Sequence, residues 1–196
     1  MNKLDAAFEL FDAYNRQDPR SFEWEGVTYP QEYFFAIKLY DWVLKLAPTA
    51  DEELLLASRS QHIGRWEIPR ESYSEGREPY LKWRKDQAQH HATITGNLMK
   101  QAGYDNAEIE RVSQIILKKR IKVDADVQTM ENALCLVFLQ YQYEDFRQKY
   151  RNEPDKMINI LRKSLLKMDS HGHGFALGLK FTPQGLDLIK KAMNAE

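Results

Sequence analysis

The sequence predicts an all-α protein. Apolar residues recur at three- and four-residue spacing along most of the chain, and helix caps, prolines and glycines punctuate those stretches. No convincing alternating strand appears, the short segment Phe175 to Phe181 being the one candidate. Of 196 residues, 43% are hydrophobic, 29% charged and 12% aromatic, the composition of a globular chain and not of a disordered one.

Leu4, Phe8 and Phe11 place a first helix, ending near Gln17-Asp18-Pro19. From Pro19 to Pro30 the glycine and prolines predict an irregular connection that pins Phe22, Trp24 and Tyr29 onto the body. A second helix runs from about Gln31 to Ala47, where Pro48 ends it. Thr49 and Glu52 have capping-box spacing, so a third helix is expected from Ala50 to about His62. Gly64 to Pro79 reads as a loop, and a long helix comes next, from about Tyr80 to Ala102, stopped by Gly103. Asn106 is the expected cap of the next helix, to about Lys119, and Asp124 of another, from Ala125 to Tyr150. Pro154 opens a helix to about Met168, and SHGHG at 170–174 reads as a flexible turn. Thr182-Pro183 is a cap with proline at the first helical position, opening a last helix to about Met193.

Charge and cysteine content narrow the function classes. Lys and Arg number 28 against 29 Asp and Glu, which argues against a general nucleic-acid coat. The single cysteine, Cys135, excludes an intramolecular disulfide and a multi-cysteine zinc site. It lies in an apolar run and reads as a buried, inert thiol. The N-terminus carries Asp5, Glu9 and Asp12 within its apolar pattern, unlike a signal peptide. The longest apolar run, Ala133 to Leu139, is far short of the roughly 18 residues that cross a bilayer. A cytoplasmic protein with no membrane partner is the expectation.

Four constellations could carry chemistry. The polar pair Gln61-His62 ends the third helix, just before Gly64-Arg65-Trp66, where a glycine permits a sharp turn and close backbone approach. The same residues equally form a helix end with Gly64 as its left-handed cap. His90 and His91 point about 100° apart, and the spacing to Ile94 and Leu98 makes His91 the inward one. Gln128, Glu131 and Asn132 share a helix face beside an apolar run, where a buried carboxylate needs a cation, a metal or a proton. Arg65, Trp66, Arg70, Tyr80, Trp83 and Arg84 form a basic and aromatic set suited to a small anionic or phosphorylated ligand, with stacking of a base or an RNA end on tryptophan. Core packing of the tryptophans and surface pairing of the arginines is the alternative. His171 and His173 flank Gly172, a weak metal signal.

The segments QHIGRWEIPR, YLKWR, NLMKQAGYD, QTMENALCLVFLQY and LRKSLLKMDS resemble a bacterial and fungal family described as a domain of unknown function. More distantly, the order of elements around EELLLASRSQHIGRW is similar to the HD-domain superfamily of metal-dependent phosphohydrolases. That resemblance implies one HD-like domain over 1–196: an N-terminal helix and arm at 1–30, a helical core at 31–168, and a loop and last helix at 169–196. It sets Gln61 and His62 at the paired metal-binding positions, His91 at a later histidine, Lys118 where another histidine often sits, and Glu131 or Asn132 near the late Asp. The chain departs from the pattern. No histidine precedes His62, the Asp of the pair is absent, and the upstream ligand falls near Glu32 or Tyr33.

Two functions are the main expectations. In the first, His62, His91 and Glu131 bind a single divalent metal ion, Gln61 and Lys118 join them in catalysis, and Arg65, Arg70 and Arg84 hold phosphate oxygens during hydrolysis of a small phosphorylated or nucleotide-like substrate. Trp66, Tyr80, Trp83 and Gln128 complete its ligand-binding set. In the second, the same cleft is a metal-free module for a nucleotide, an anionic metabolite or an RNA end. An all-α scaffold is the third and plainest reading.

Overall fold

The computed structural model describes residues 2–194. These are helical almost throughout, in the order α1 (Lys3–Asn15), a hairpin of β1 (Ser21–Trp24) and β2 (Val27–Pro30), α2 (Gln31–Leu46), α3 (Glu52–Ser60), α4 (Arg77–Gln101), α5 (Asn106–Ile116), α6 (Ala125–Val137), α7 (Tyr143–Lys149), α8 (Pro154–Leu165), α9 (Ser170–Leu177) and α10 (Pro183–Asn194). The chain packs as two compact units that divide between Val127 and Gln128, within α6.

In the first unit α3 is the inner helix, touching α1, α2 and α5, while α4 lies along α5. Its core is built from Phe11, Leu39, Val43, Leu56, Ile63 and Ile115, all buried. α3 is tied to α1 by Arg59, whose guanidinium donates to both Asp12 carboxylate oxygens at 2.8 and 2.7 Å. The helix starts later than Thr49-x-x-Glu52 predicts. Ala50 N–H bonds the Ala47 carbonyl in a turn, and Asp51 takes the capping position. α5 is also capped one residue off expectation. Asp105, not Asn106, accepts from the amides of Ala107 and Glu108, and the Glu108 carboxylate returns to the Asp105 N–H at 2.7 Å.

The connection at 19–30 is a hairpin, against expectation. Ser21 pairs with Pro30 and Trp24 with Val27 around a two-residue turn. Glu25 and Gly26 both have positive φ, 51° and 76°, the geometry that suits a tight hairpin. Glu-Gly is a weak sequence signal for that turn, which is why it escapes a propensity reading. The pinning itself is as expected. Phe22 lies 4.8 Å from Phe34 and 4.7 Å from Phe35 between ring centroids, and Tyr29 lies 5.3 Å from Phe34.

The start of α6 is capped by Asp124, as the sequence predicts. Its carboxylate accepts from the amides of Asp126 and Val127 and holds Arg111 in a fork at 2.6 and 3.0 Å. The Arg111 hydrogen bonds, against the opposing effect of burial, depress the Asp124 pKa to about 2. A depressed carboxylate stabilises the fold fully above its unfolded value of 3.8, and that stability disappears as pH falls through about 2. Asp124→Ala should therefore lower stability at neutral pH by about 1–2 kcal/mol. In chemical denaturation from pH 7 to pH 2, the gap between variant and wild type should narrow below pH 4; a gap undiminished at pH 2 contradicts this role.

The second unit is centred on Leu136, Met157 and Leu161, with α8 against α10. Where the sequence predicts one continuous helix from Ala125 to Tyr150, a π turn at Phe138–Gln142 interrupts α6 and α7. The flexible SHGHG turn is overturned, and the start of the candidate segment Phe175–Phe181 is helical to Leu177. Asp169 caps a helix there, accepting from the Gly172 amide at 2.9 Å, so the His-Gly-His segment is helical. The Thr182-Pro183 start of α10 is as predicted, with Thr182 Oγ1 accepting from the Gly185 N–H.

Candidate anion-binding site

The C-terminal end of α3 is held in place by its own polar residues. Gln61 is buried, and its Nε2 donates 3.1 Å to the Ile116 carbonyl at the end of α5. Its Oε1 is buried with no hydrogen-bond partner among the described residues. Gly64 then turns the chain with φ 69°, in the left-handed region. A Cβ there would lie 2.5 Å from Ile94 Cδ1 and 3.3 Å from His90 Nε2, so the turn packs directly on α4. Gln87 anchors the segment after the turn. Its Nε2 donates to the carbonyls of Arg65 and Ile68, each at 2.9 Å.

His62 and His91 meet at this corner, with ring centroids 5.8 Å apart. His91 is buried, and its Nδ1–H donates 2.6 Å to the Ile63 carbonyl, which leaves Nε2 unprotonated. Burial pulls its pKa down to about 3. Burial also pushes the His62 pKa well below the usual imidazole value, and the positive charges of Arg65, Lys118 and Arg84 push it further, together with His91. Three cations from separate segments thus bear on one neutral imidazole. Lys118, one residue past the C-cap of α5, is itself left-handed, with φ 55°. Arg84, Gln87 and His91 are three and four residues apart, on one face of α4.

A carboxylate balances one side. Glu32, in the first turn of α2, is buried, and Arg20 donates to it at 2.8 Å. Burial raises its pKa, and the charges of Arg65 and Arg20 oppose that rise. On another side Glu67 accepts from the Tyr14 hydroxyl at 2.7 Å and from His90 Nε2 at 2.8 Å, tying α1 and α4 to the turn after Gly64.

The basic and aromatic set divides. Tyr80 is 43% exposed, its ring 5.9 Å from Trp83, with the guanidinium groups of Arg70 and Arg84 each 6.0 Å from its centroid. Arg84 therefore belongs both to this exposed ring and to the charges around His62. Arg70 spends its donors on the carbonyls of Tyr73 and Ser74, stapling the loop. Trp83 donates to the Ile68 carbonyl at 2.9 Å, and Trp66 is half-buried, 5.9 Å from Tyr14. Both tryptophans are half-buried, and Tyr80 is the more exposed ring.

The expected residues of the second unit have different occupations. Gln128 Nε2 donates to Asn132 Oδ1 and to the Lys167 carbonyl. Asn132 donates to Asp169, the cap of α9. Glu131 is buried and pairs with Lys167 at 3.5 Å. Among the described residues no group of three or more His, Cys, Asp and Glu side chains could hold a metal ion. Within the first unit, His62 and His91 stand as two neutral histidines beside the charges of Arg65, Lys118 and Arg84.

Residues 5–189 match a family model described as Domain of unknown function (DUF4202), and the chain belongs to that family. No curated protein and no solved structure matches it. Among the described residues no helix is long and apolar enough to cross a membrane.

Sequence reasoning singled out His62, His91, Arg65, Arg84 and Lys118 as candidates. It missed Gln87, Glu67 and Tyr14, which position them. Gln87 carried a signal, since it lies between Arg84 and His91 on the same helix face.

Proposed function

We propose that this corner of the first unit binds a small phosphorylated or nucleotide-like anion without a metal ion, in a cytoplasmic setting. The observation that carries the reading is that the charges of Arg65, Lys118 and Arg84, from three separate segments, all act on His62. Cations that share a partly desolvated site repel one another and depress a neighbouring imidazole. A multiply charged anion relieves that repulsion, and guanidinium forks match phosphate oxygens. Arg84 extends the site to Tyr80, an exposed ring on which a base or sugar face can stack.

His62 and His91 would act as neutral hydrogen-bonding groups. Metal-dependent hydrolysis is the second reading. It is favoured by the His91 tautomer, because a backbone carbonyl that accepts a hydrogen bond from Nδ1–H commonly orients a metal-ligating histidine.

Thermal denaturation with inorganic phosphate, pyrophosphate and nucleoside mono- and diphosphates, each with and without a chelator, separates the two readings. The proposal predicts a rise in Tm that survives the chelator and is greatest for the more highly charged ligands. It also predicts that Arg84→Ala and Lys118→Ala each reduce the rise, with little change in the Tm of the free protein. A rise that needs a divalent ion, with release of phosphate, supports the second reading. No rise with any of these anions contradicts both.

A further inference from the structure

A cavity lies wholly within the second unit. It is about 500 Å³, and Leu139, Leu165, Ala176, Leu186 and Ile189 line it. Its size falls within the range of ordinary small-molecule sites. The residues near its mouth are apolar and open to solvent: Leu177 is 77% exposed and Met193 52% exposed. Large aliphatic side chains left this open at a concave site mark a binding surface more often than an accident of packing.

The polar groups of the cavity are few, and they point to the ligand's charge. His173 also lines it, but its Nε2 already donates 2.8 Å to the Leu165 carbonyl. Lys180, which is exposed, also contributes to the lining. Among the described residues no Asp or Glu contributes to the wall. An aliphatic pocket with a single ammonium group selects an amphiphile of one chemistry: an apolar chain that fills the cavity and an anionic head that remains in water beside the lysine.

We propose that the second unit binds a medium-chain aliphatic carboxylate in the cavity between α9 and α10, with its carboxylate at Lys180. The inference is independent of the anion site near His62, because no residue is shared between them.

The test is calorimetric titration of the full chain with octanoate, decanoate and decanol below their critical aggregation concentrations. Burial of each added methylene should tighten binding about fourfold. Binding should carry a negative heat-capacity change. Lys180→Ala should weaken decanoate about threefold, the scale of an exposed charge pair, and leave decanol unaffected. Ala176→Trp fills the cavity and should abolish binding of both. Leu186→Trp, from α10, is the second filling variant, and circular dichroism checks that each variant keeps its helical content. Absence of binding by any of the three compounds overturns the proposal. So does binding that survives both filling variants. A concentration-dependent dimer that Leu177→Asp dissolves, without any ligand binding, would overturn it too and assign the apolar mouth to a second copy of the chain.

Discussion

Replacing Arg65 by alanine should weaken pyrophosphate binding about 30-fold, equivalent to about 2 kcal/mol for a charge-assisted contact. Of the charges that lower the His62 pKa, that of Arg65 has the largest effect, and the Arg65 carbonyl is fixed by Gln87. The same substitution should also affect stability. Glu32 is buried, and Arg65 and Arg20 are the two cations that favour its ionised form. With Arg65 gone, its carboxyl should become easier to protonate, and the fold should weaken by about 1–2 kcal/mol at neutral pH. Glu32→Gln in the same chain should restore much of that stability but none of the binding. Isothermal titration of the single and double variants separates the effects. Recovery of binding in the double variant would mean that Arg65 serves only to neutralise Glu32.

The second large effect is expected at Gly64. Alanine there must adopt φ 69°, which costs an L-residue about 1–2 kcal/mol. Its Cβ must also displace Ile94 Cδ1 from 2.5 Å, and overpacking of this kind costs about 1–3 kcal/mol more. Gly64→Ala should lose about 3 kcal/mol in urea denaturation. Because the turn fixes Arg65 relative to His91, the anion affinity of the folded fraction should fall as well. A variant with wild-type stability would mean that the chain avoids this turn, and the corner as described would not form.

Most of the helices were legible in the sequence, and the failures have local causes. Periodicity and breakers placed α2, α4 and α8 closely, because each carries a strong apolar stripe or a proline at its boundary. Glu25-Gly26 hid a hairpin whose strands are only four residues long. SHGHG at 170–174 looked like a turn because it is rich in glycine. The deciding contact, the Asp169 carboxylate on the Gly172 amide, is a capping bond that composition does not reveal.

The site was legible in part for a related reason. His62 and His91 could be singled out because a polar residue on an inward helix face needs an explanation. The same logic singled out Gln128, Glu131 and Asn132, and there the explanation is structural. Gln128 and Asn132 satisfy one another and the start of α9, and Glu131 finds Lys167. One sequence does not distinguish a polar group that waits for a ligand from one already satisfied by a distant carbonyl. Nor does it place Lys118 beside His62, 56 positions earlier in the numbering, since that depends on how α3 packs on α5.

The most direct measurement is the NMR titration of the His62 imidazole in the free protein and with pyrophosphate. The account predicts that free His62 remains neutral well below its ordinary value of 6.5, because burial and the charges of Arg65, Lys118 and Arg84 oppose its protonation. Pyrophosphate should shift that titration upward by compensating those charges, and the shift should shrink in Arg84→Ala. A His62 that titrates near 6.5 and ignores pyrophosphate would contradict a convergent cationic site.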